Sequence, residues 1–201
     1  MEILLTTARL TLRRFTETEA NVDRLLELHN DPEVMRFLNG GVPTSRDTVR
    51  DEVLPRFLRR YDRFADPGFW AAEERDGGEF VGWFEFRPLD GEGPGEVELG
   101  YRLHRRFWGR GYATEGARAL IHRGFTELGV RRVMAQTMAV NTASRRVMEK
   151  SGLSHVRTFH EDWPHPIEGS EHGEVEYELT ELDRRSGEDG PGHGADGAPP
   201  A

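Results

Sequence analysis

Residues 98–116 read ELGYRLHRRFWGRGYATEG. The run that leads into them carries the aromatic and β-branched residues of a strand, and it ends in a basic, glycine-rich turn. From Gly109 onward Ala113, Ala117, Leu120, Ile121, Phe125 and Leu128 recur at helical spacing. A strand therefore passes through a basic turn directly into a helix. Gly109 and Gly111 let the backbone bend and approach a ligand with no Cβ in the way. The first helical turn leaves N–H groups without intrahelical partners at the positive end of the dipole. The combination predicts a pyrophosphate-type anion site, to which Arg106 and Arg110 add charge. It is neither a P-loop, which needs GK[ST], nor a full GxGxxG fingerprint.

Working outward, residues 132–138 read as the next strand, and residues 139–153, AVNTASRRVMEKSGL, follow. Asn141 is placed to cap a short helix that ends near Ser151, with Gly152 as its left-handed stop. Asn141 and Ser144, three apart, face the same way at that helix start. Gly129 stops the preceding helix. Strands at 153–161 and 173–180 close the pattern around a proline-containing loop. Upstream, strands at 68–74, 79–89 and 96–103 form an antiparallel meander turned by Asp76-Gly77-Gly78 and Asp90-Gly91. The front begins with a strand at 8–15, in which Leu10 and Leu12 alternate with polar residues. Thr16 and Glu19 make a capping-box pattern before a helix that buries Val22, Leu25, Leu26 and Leu28. Asp31-Pro32 opens a second helix through Phe37, which Gly40-Gly41 ends. A longer amphipathic helix spans 44–64 and is interrupted near Pro55. The order is that of a mixed α/β domain over residues 1–185. Residues 186–201 hold five glycines and three prolines with no large apolar side chain, and read as a disordered tail.

Composition narrows the function classes. Asp plus Glu number 36 against 27 Lys plus Arg, a net charge of −9 that disfavours nucleic acid and anionic membranes as partners. With no cysteine there is no disulfide, thiolate metal site or cysteine nucleophile. The chain has no membrane-spanning apolar run and no signal-peptide pattern, so it reads as cytoplasmic. His155, His160, His165 and His172 cluster near the C-terminal loop, but their spacing matches no zinc pattern, and no metal is expected.

Arg106-x-x-Gly109-x-Gly111 resembles the acyl-CoA signature of the GNAT N-acetyltransferases. Asn141-x-x-Ser144 with Lys150-Ser151-Gly152-Leu153 resembles the branch of that family holding the ribosomal-protein N-terminal acetyltransferases. TTARLTLRRF, NDPEVMRFL, GYRL and WGRGYATE are similar to the same branch, and the likeness covers roughly residues 6–180. The resemblance implies a GNAT fold: a mixed, mostly antiparallel seven-stranded sheet with flanking helices, splayed between strands four and five. It implies that acetyl-CoA binds in that splay as cosubstrate. The backbone of Tyr101, Arg102 and Leu103 would pair with the pantetheine arm. Arg106, Phe107, Trp108, Gly109, Arg110, Gly111, Tyr112 and Ala113 would surround the pyrophosphate. Asn141 would bond the arm and Ser144 would stand near the thioester sulfur.

The implied reaction is transfer of an acetyl group to a primary amine by direct attack in a ternary complex. Two features of the family are missing. Met148 stands where many members have a tyrosine acid, and Gln136 where some N-terminal acetyltransferases have a glutamate. That leaves Ser144 as the group to protonate or orient the sulfur, and Glu98 as the best base, ahead of Glu85, Glu161 and Asp162. An α-amine, with pKa about 7.7–8.0, needs less help from a base than an alkylamine near 10.4. A protein or peptide N-terminal α-amine is therefore the preferred acceptor. An aminoglycoside or polyamine acetyltransferase, and a non-catalytic acyl-CoA-binding module, stay open as alternatives. Phe37, Leu38, Trp70, Trp83, Phe86, Tyr101 and Trp163 are candidate pocket walls. Homodimers are common in the branch, although these residues mark no interface.

Overall fold

The computed structural model describes residues 2–63, 68–89, 95–163 and 165–188. The chain opens with a hairpin of β1 (Ile3–Thr6) and β2 (Leu10–Arg14), then α1 (Glu19–His29) and α2 (Pro32–Asn39). A single turn α3 (Arg46–Thr48) runs into a π-helical turn at Val49–Val53 and then α4 (Leu54–Arg63). The meander β3 (Gly68–Glu74), β4 (Phe80–Pro88) and β5 (Glu96–Leu103) follows. After it come α5 (Tyr112–Glu127), β6 (Arg132–Met138), α6 (Thr142–Lys150), β7 (Ser154–Phe159), β8 (Glu174–Thr180) and α7 (Glu181–Glu188).

The strands form one eight-stranded sheet in the order β1-β2-β3-β4-β5-β6-β8-β7. The extra strand relative to the expected seven is β1, which pairs with β2 beside Leu12 and Thr11. All neighbours are antiparallel except β5 and β6, which run parallel. Their pairing covers Glu96, Val97 and Glu98 against Arg132, Val133 and Met134, and then stops. Beyond Glu98 the two strands diverge, so the expected splay lies between them.

The sheet has two differently furnished faces. On one, Phe84, Phe86, Leu99 and Val133 pack with Ala117, Leu120 and Ile121 of α5 and Met148 of α6. α5 approaches closely because Gly116 and Gly124 face the phenylalanines: a Cβ on Gly116 would stand 2.2 Å from Phe84 Cζ. On the other face Val22, Leu25 and Leu28 of α1 and Phe57 of α4 pack on Phe69, Ala71 and Trp83. Phe57 stacks on Phe69 at 3.8 Å between centroids.

Local rules account for most element ends, with two corrections. Thr18, not Thr16, caps α1 by accepting from Asn21 N. The Asn21 side chain in turn donates to Thr16 O and Oγ1 at 2.8 and 3.1 Å. Near Pro55 the helix is not broken. Proline has no N–H and crowds the carbonyl four residues back, and the wide turn absorbs it, with Leu54 N donating to Val49 O. The turn expected at Asp90-Gly91 and residues 189–201 of the expected tail lie outside the described residues, while α7 carries the chain through Glu188.

Candidate active site

The basic turn after β5 is a short 3-10 segment, Arg105–Phe107, followed by Gly109 and Gly111 at φ 70° and 83°. Gly111 is the left-handed N-cap of α5 and makes no side-chain cap bond to the free amides of that helix start. By contrast Thr18, Asp31, Ser45 and Asn141 each cap their helices by accepting a backbone N–H. Four orphan N–H groups at a sixteen-residue helix start, with open space above Gly109, form an anion cradle. The residues present thus fit a pyrophosphate.

What holds the cradle in place was not legible locally. Glu115 stands in the first turn of α5, one place past the capping-box position, and does not turn back to its own helix. Instead its carboxylate accepts from Thr7 Oγ1 at 2.6 Å and from Arg9 N at 2.8 Å, and it pairs with the Arg9 guanidinium. Arg9 also donates to Arg110 O at 2.9 Å and lies 4.3 Å over the Tyr112 ring. The β1–β2 turn thereby clamps the glycine turn. Tyr112 reaches Glu74, and Phe107 packs edge-on against Tyr112, so both are scaffold. Trp108 Nε1 donates to Leu103 O at 2.8 Å, tying the turn to the splayed end of β5. The Arg106 guanidinium turns away to Glu79 at 2.7 Å and Glu27 at 3.2 Å, whereas Arg110 is exposed and Ala113 half-buried.

Tyr101, Asn141 and Ser144 come together across the splay. Tyr101 Oη donates to Ser144 O at 3.0 Å and lies 3.0 Å from Ser144 Oγ. Burial pushes the Tyr101 phenol up to about 12, against the smaller pull of Ser144, so it keeps its proton at neutral pH. Asn141 Oδ1 accepts from Ser144 N at 3.2 Å, and its Nδ2 donates to Thr137 Oγ1 at 3.0 Å. Both ends of the Asn141 side chain are engaged in fixing the start of α6. Met148 belongs to the core, and Arg145 bonds Tyr177 Oη and Ala139 O.

The opposite face of the splay carries buried charge. Arg102 Nη1 lies 2.9 Å from His29 Nε2 of α1, and its guanidinium sits 4.9 Å over Trp83. Burial, and then the charge of Arg102, press the His29 imidazole down to about 3, so it is neutral and accepts from Arg102. Burial also pushes Arg102 down to about 10 against the pull of Glu85, which leaves it charged. Glu98 does not stand alone: the Arg87 guanidinium bonds both Glu98 and Glu85. Gln136 Nε2 donates to Glu176 at 3.1 Å, and Arg157 pairs with Glu176 at 2.8 Å. Glu174, which no sequence pattern singled out, is 6% exposed, and burial followed by the charge of Glu161 raises its carboxyl above the usual range.

The β7–β8 loop roofs this face by meeting α2, through Arg36–Glu168 at 3.1 Å and Ile167 against Gly40. Two cavities open on it. One, about 600 Å³, lies between α1 and the basic turn and is lined by Glu27, Asp31, His104 and Trp108. The other, about 470 Å³, is lined by Glu161, Asp162, Trp163 and Glu171. Of the expected walls, Trp163 lines a cavity, but Trp70 and Phe86 are core, Trp83 is buried beside Phe57, and Leu38 is exposed. Among the described residues no group of three or more histidines and carboxylates could hold a metal ion, and no helix is long and apolar enough to cross a membrane.

Comparison with known proteins identifies the family and the fold. Residues 9–154 match the family described as acetyltransferase (GNAT) domain. The chain is 38% identical over 161 residues to an Aspergillus fumigatus protein named FsC-acetyl coenzyme A-N(2)-transacetylase, covering 77% of this chain and 67% of that one. A GNAT-family acetyltransferase structure from Bacillus anthracis superposes with a TM-score of 0.73 at 23% identity, over 90% of this chain and 99% of that one. RimL, a ribosomal L7/L12 alpha-N-protein acetyltransferase solved with coenzyme A, superposes with a TM-score of 0.73 at 20% identity, over 89% and 98%. At these identities the two structures speak to the fold.

Proposed function

The chain belongs to the GNAT family of acetyltransferases and is an acetyl-CoA-dependent N-acetyltransferase, and on that premise we propose that its acceptor is the α-amine of a peptide or a peptide-like molecule. The observation that carries the cofactor half is the meeting of two features. The β5–β6 pairing ends at Glu98–Met134, and the α5 N-terminus beside it has no side-chain cap.

Acetyl-CoA supplies an acyl thioester already activated for attack. The α5 amides and Arg110 would hold the pyrophosphate, and the freed main chain of Tyr101 and Leu103 would align the arm. Ser144 Oγ, kept in register by the Asn141 cap and the Tyr101 phenol, would give its proton to the departing thiolate. A leaving thiol near pKa 8.5 needs only a weak acid. With no cysteine in the chain, transfer goes directly from thioester to amine. The fungal relative is named an N(2)-transacetylase, which by analogy supports a nitrogen acceptor here, and the lower pKa of an α-amine favours that class among amines. A second reading, a small polyamine or aminoglycoside, is favoured by the acidic lining of the Trp163 cavity.

The test is calorimetric titration with acetyl-CoA, then thiol release over N-terminal peptides, spermidine and kanamycin. Micromolar acetyl-CoA binding with release on peptides alone is the expected result. Release on spermidine or kanamycin alone selects the second reading, and a failure to bind acetyl-CoA overturns both.

A further inference from the structure

Glu174 opens β8, opposite Met138 of β6 and Phe159 of β7. Its strand neighbours Val175 and Tyr177 point into the α5–α6 core, so Glu174 and Glu176 project from the other face. The carboxyls on that face differ in one respect. Glu85 and Glu98 are held by Arg87, Glu176 by Arg157 and Glu178 by Arg132. Glu174 has no cation against it among the described residues, and its buried Oε1 has no hydrogen-bond partner. A hydrogen bond from Trp163 is offset by the like charge of Glu161. Leaving a buried carboxylate in this state is costly, and the cost is recovered when a cation arrives.

Its location matches that of an arriving amine. Continuing the β5–β6 register past Glu98 and Met134 sets Arg102 level with Met138, and Met138 is paired with Glu174. Glu174 is therefore in the row that crosses the splay at Tyr101–Leu103, one strand spacing of about 4.8 Å beyond β6. Trp163, which bonds Glu174, also lines a cavity whose other walls include Glu161, Asp162 and Glu171.

Resting on the acetyltransferase reading above, we propose that Glu174 is the carboxylate that receives the acceptor's ammonium group and takes its first proton, behind an acidic entrance that selects cationic amines. The ammonium loses one proton to Glu174 Oε1, and the nitrogen lone pair then forms the C–N bond to the thioester carbonyl carbon. The C–S bond breaks with its electron pair on sulfur. The second nitrogen proton leaves as the thiolate is protonated through Ser144 Oγ, and Glu174 returns its proton to solvent. The groups facing Glu174 are Trp163 and Glu161 from the loop, Met138 from β6 and Phe159 from β7. Burial and the Glu161 charge raise its proton affinity, the direction a base for an ammonium requires.

The experiment compares full-length wild type, Glu174→Gln, Glu98→Gln and Glu178→Gln, using Ala-Lys-Ala and Ala-Gln-Ala peptides and spermidine as acceptors. Glu178→Gln is the control on the same strand and face. Glu174→Gln is expected to lower kcat about 100-fold at pH 7, with acetyl-CoA affinity within about twofold of wild type. The deficit should narrow as pH rises toward the acceptor's own pKa, because the amine then arrives neutral. Glu174→Gln should also raise the Tm of the free protein, since it removes an unpaired buried charge, whereas a structural carboxyl would lower it. Wild type should prefer Ala-Lys-Ala to Ala-Gln-Ala. Full activity in Glu174→Gln, a pH-independent deficit, or loss confined to Glu98→Gln overturns the assignment. If wild type binds acetyl-CoA but acetylates none of the three, or does not bind it, the preceding reading fails and takes this one with it.

Discussion

The two faces of the sheet solve opposite problems. The α5–α6 face is apolar, and apart from Ser144 and Tyr101 what it offers a ligand is main chain: glycine-turn amides, an open helix start, a strand edge whose ladder to β6 ends at Glu98. The α1–α4 face buries ionisable side chains, among them Arg13, His29, Glu85, Glu174 and Glu176. A face built from main chain is sensitive to bulk and indifferent to pH, and a face built from buried charge is the reverse. On the proposed function, the first would bind the invariant half of the reaction and the second would discriminate among acceptors.

The largest expected effect tests the bulk side. Gly111→Val places a branched side chain at φ 83° over the α5 amides and should weaken acetyl-CoA binding more than about 100-fold by calorimetry. Gly129→Val, at φ 69° at the other end of the same helix with nothing near its Cβ, imposes similar backbone strain and should leave affinity intact. Equal losses would mean that the amides are not the ligand site.

The next effect tests the charge side. Between pH 6.5 and about 3 the unfolded chain protonates His29 while the folded chain does not. Stability is therefore present above pH 6.5 and falls by about 1.4 kcal/mol for each unit of acidification within that window. His29→Gln should flatten this part of the urea-unfolding profile, and an unchanged slope would show that burial and the Arg102 charge do not hold the imidazole neutral.

Ser144→Ala should lower kcat about 10-fold while acetyl-CoA affinity holds, measured by thiol release and calorimetry on one preparation. The smallest effect is Asn141→Ala, a lost helix cap worth about 1 kcal/mol in chemical denaturation. A much larger loss would mean that the Thr137 bond contributes as well.

How far the residues announced this arrangement follows the same division. Strands Gly68–Glu74, Glu96–Leu103 and Arg132–Met138 match the boundaries read from pattern and turn residues, because their signals are local. The glycine turn, the Asn141 cap and the opening of the sheet were legible through spacing and family likeness. β1 was not, since a four-residue edge strand has too little pattern to separate from a leading segment. The Arg9–Glu115 clamp joins residues more than a hundred positions apart, and Glu115 looks like an ordinary first-turn acid. Glu98 read as a base because its partner Arg87 is brought to it only by β4–β5 pairing. Glu174 was invisible for the mirror-image reason: nothing in GEVEYELT says which of its acids will be left without an arginine.

The three-pair seam between β5 and β6 has a kinetic consequence. Main-chain amides of residues 99–103 that face β6 lie at a sheet's centre yet lack a ladder partner there. They should trade hydrogen for deuterium at rates normal for an edge. Acetyl-CoA, lying along the gap as a surrogate strand, should slow that exchange on both sides of the seam, writing a protection footprint that maps the arm without any mutation.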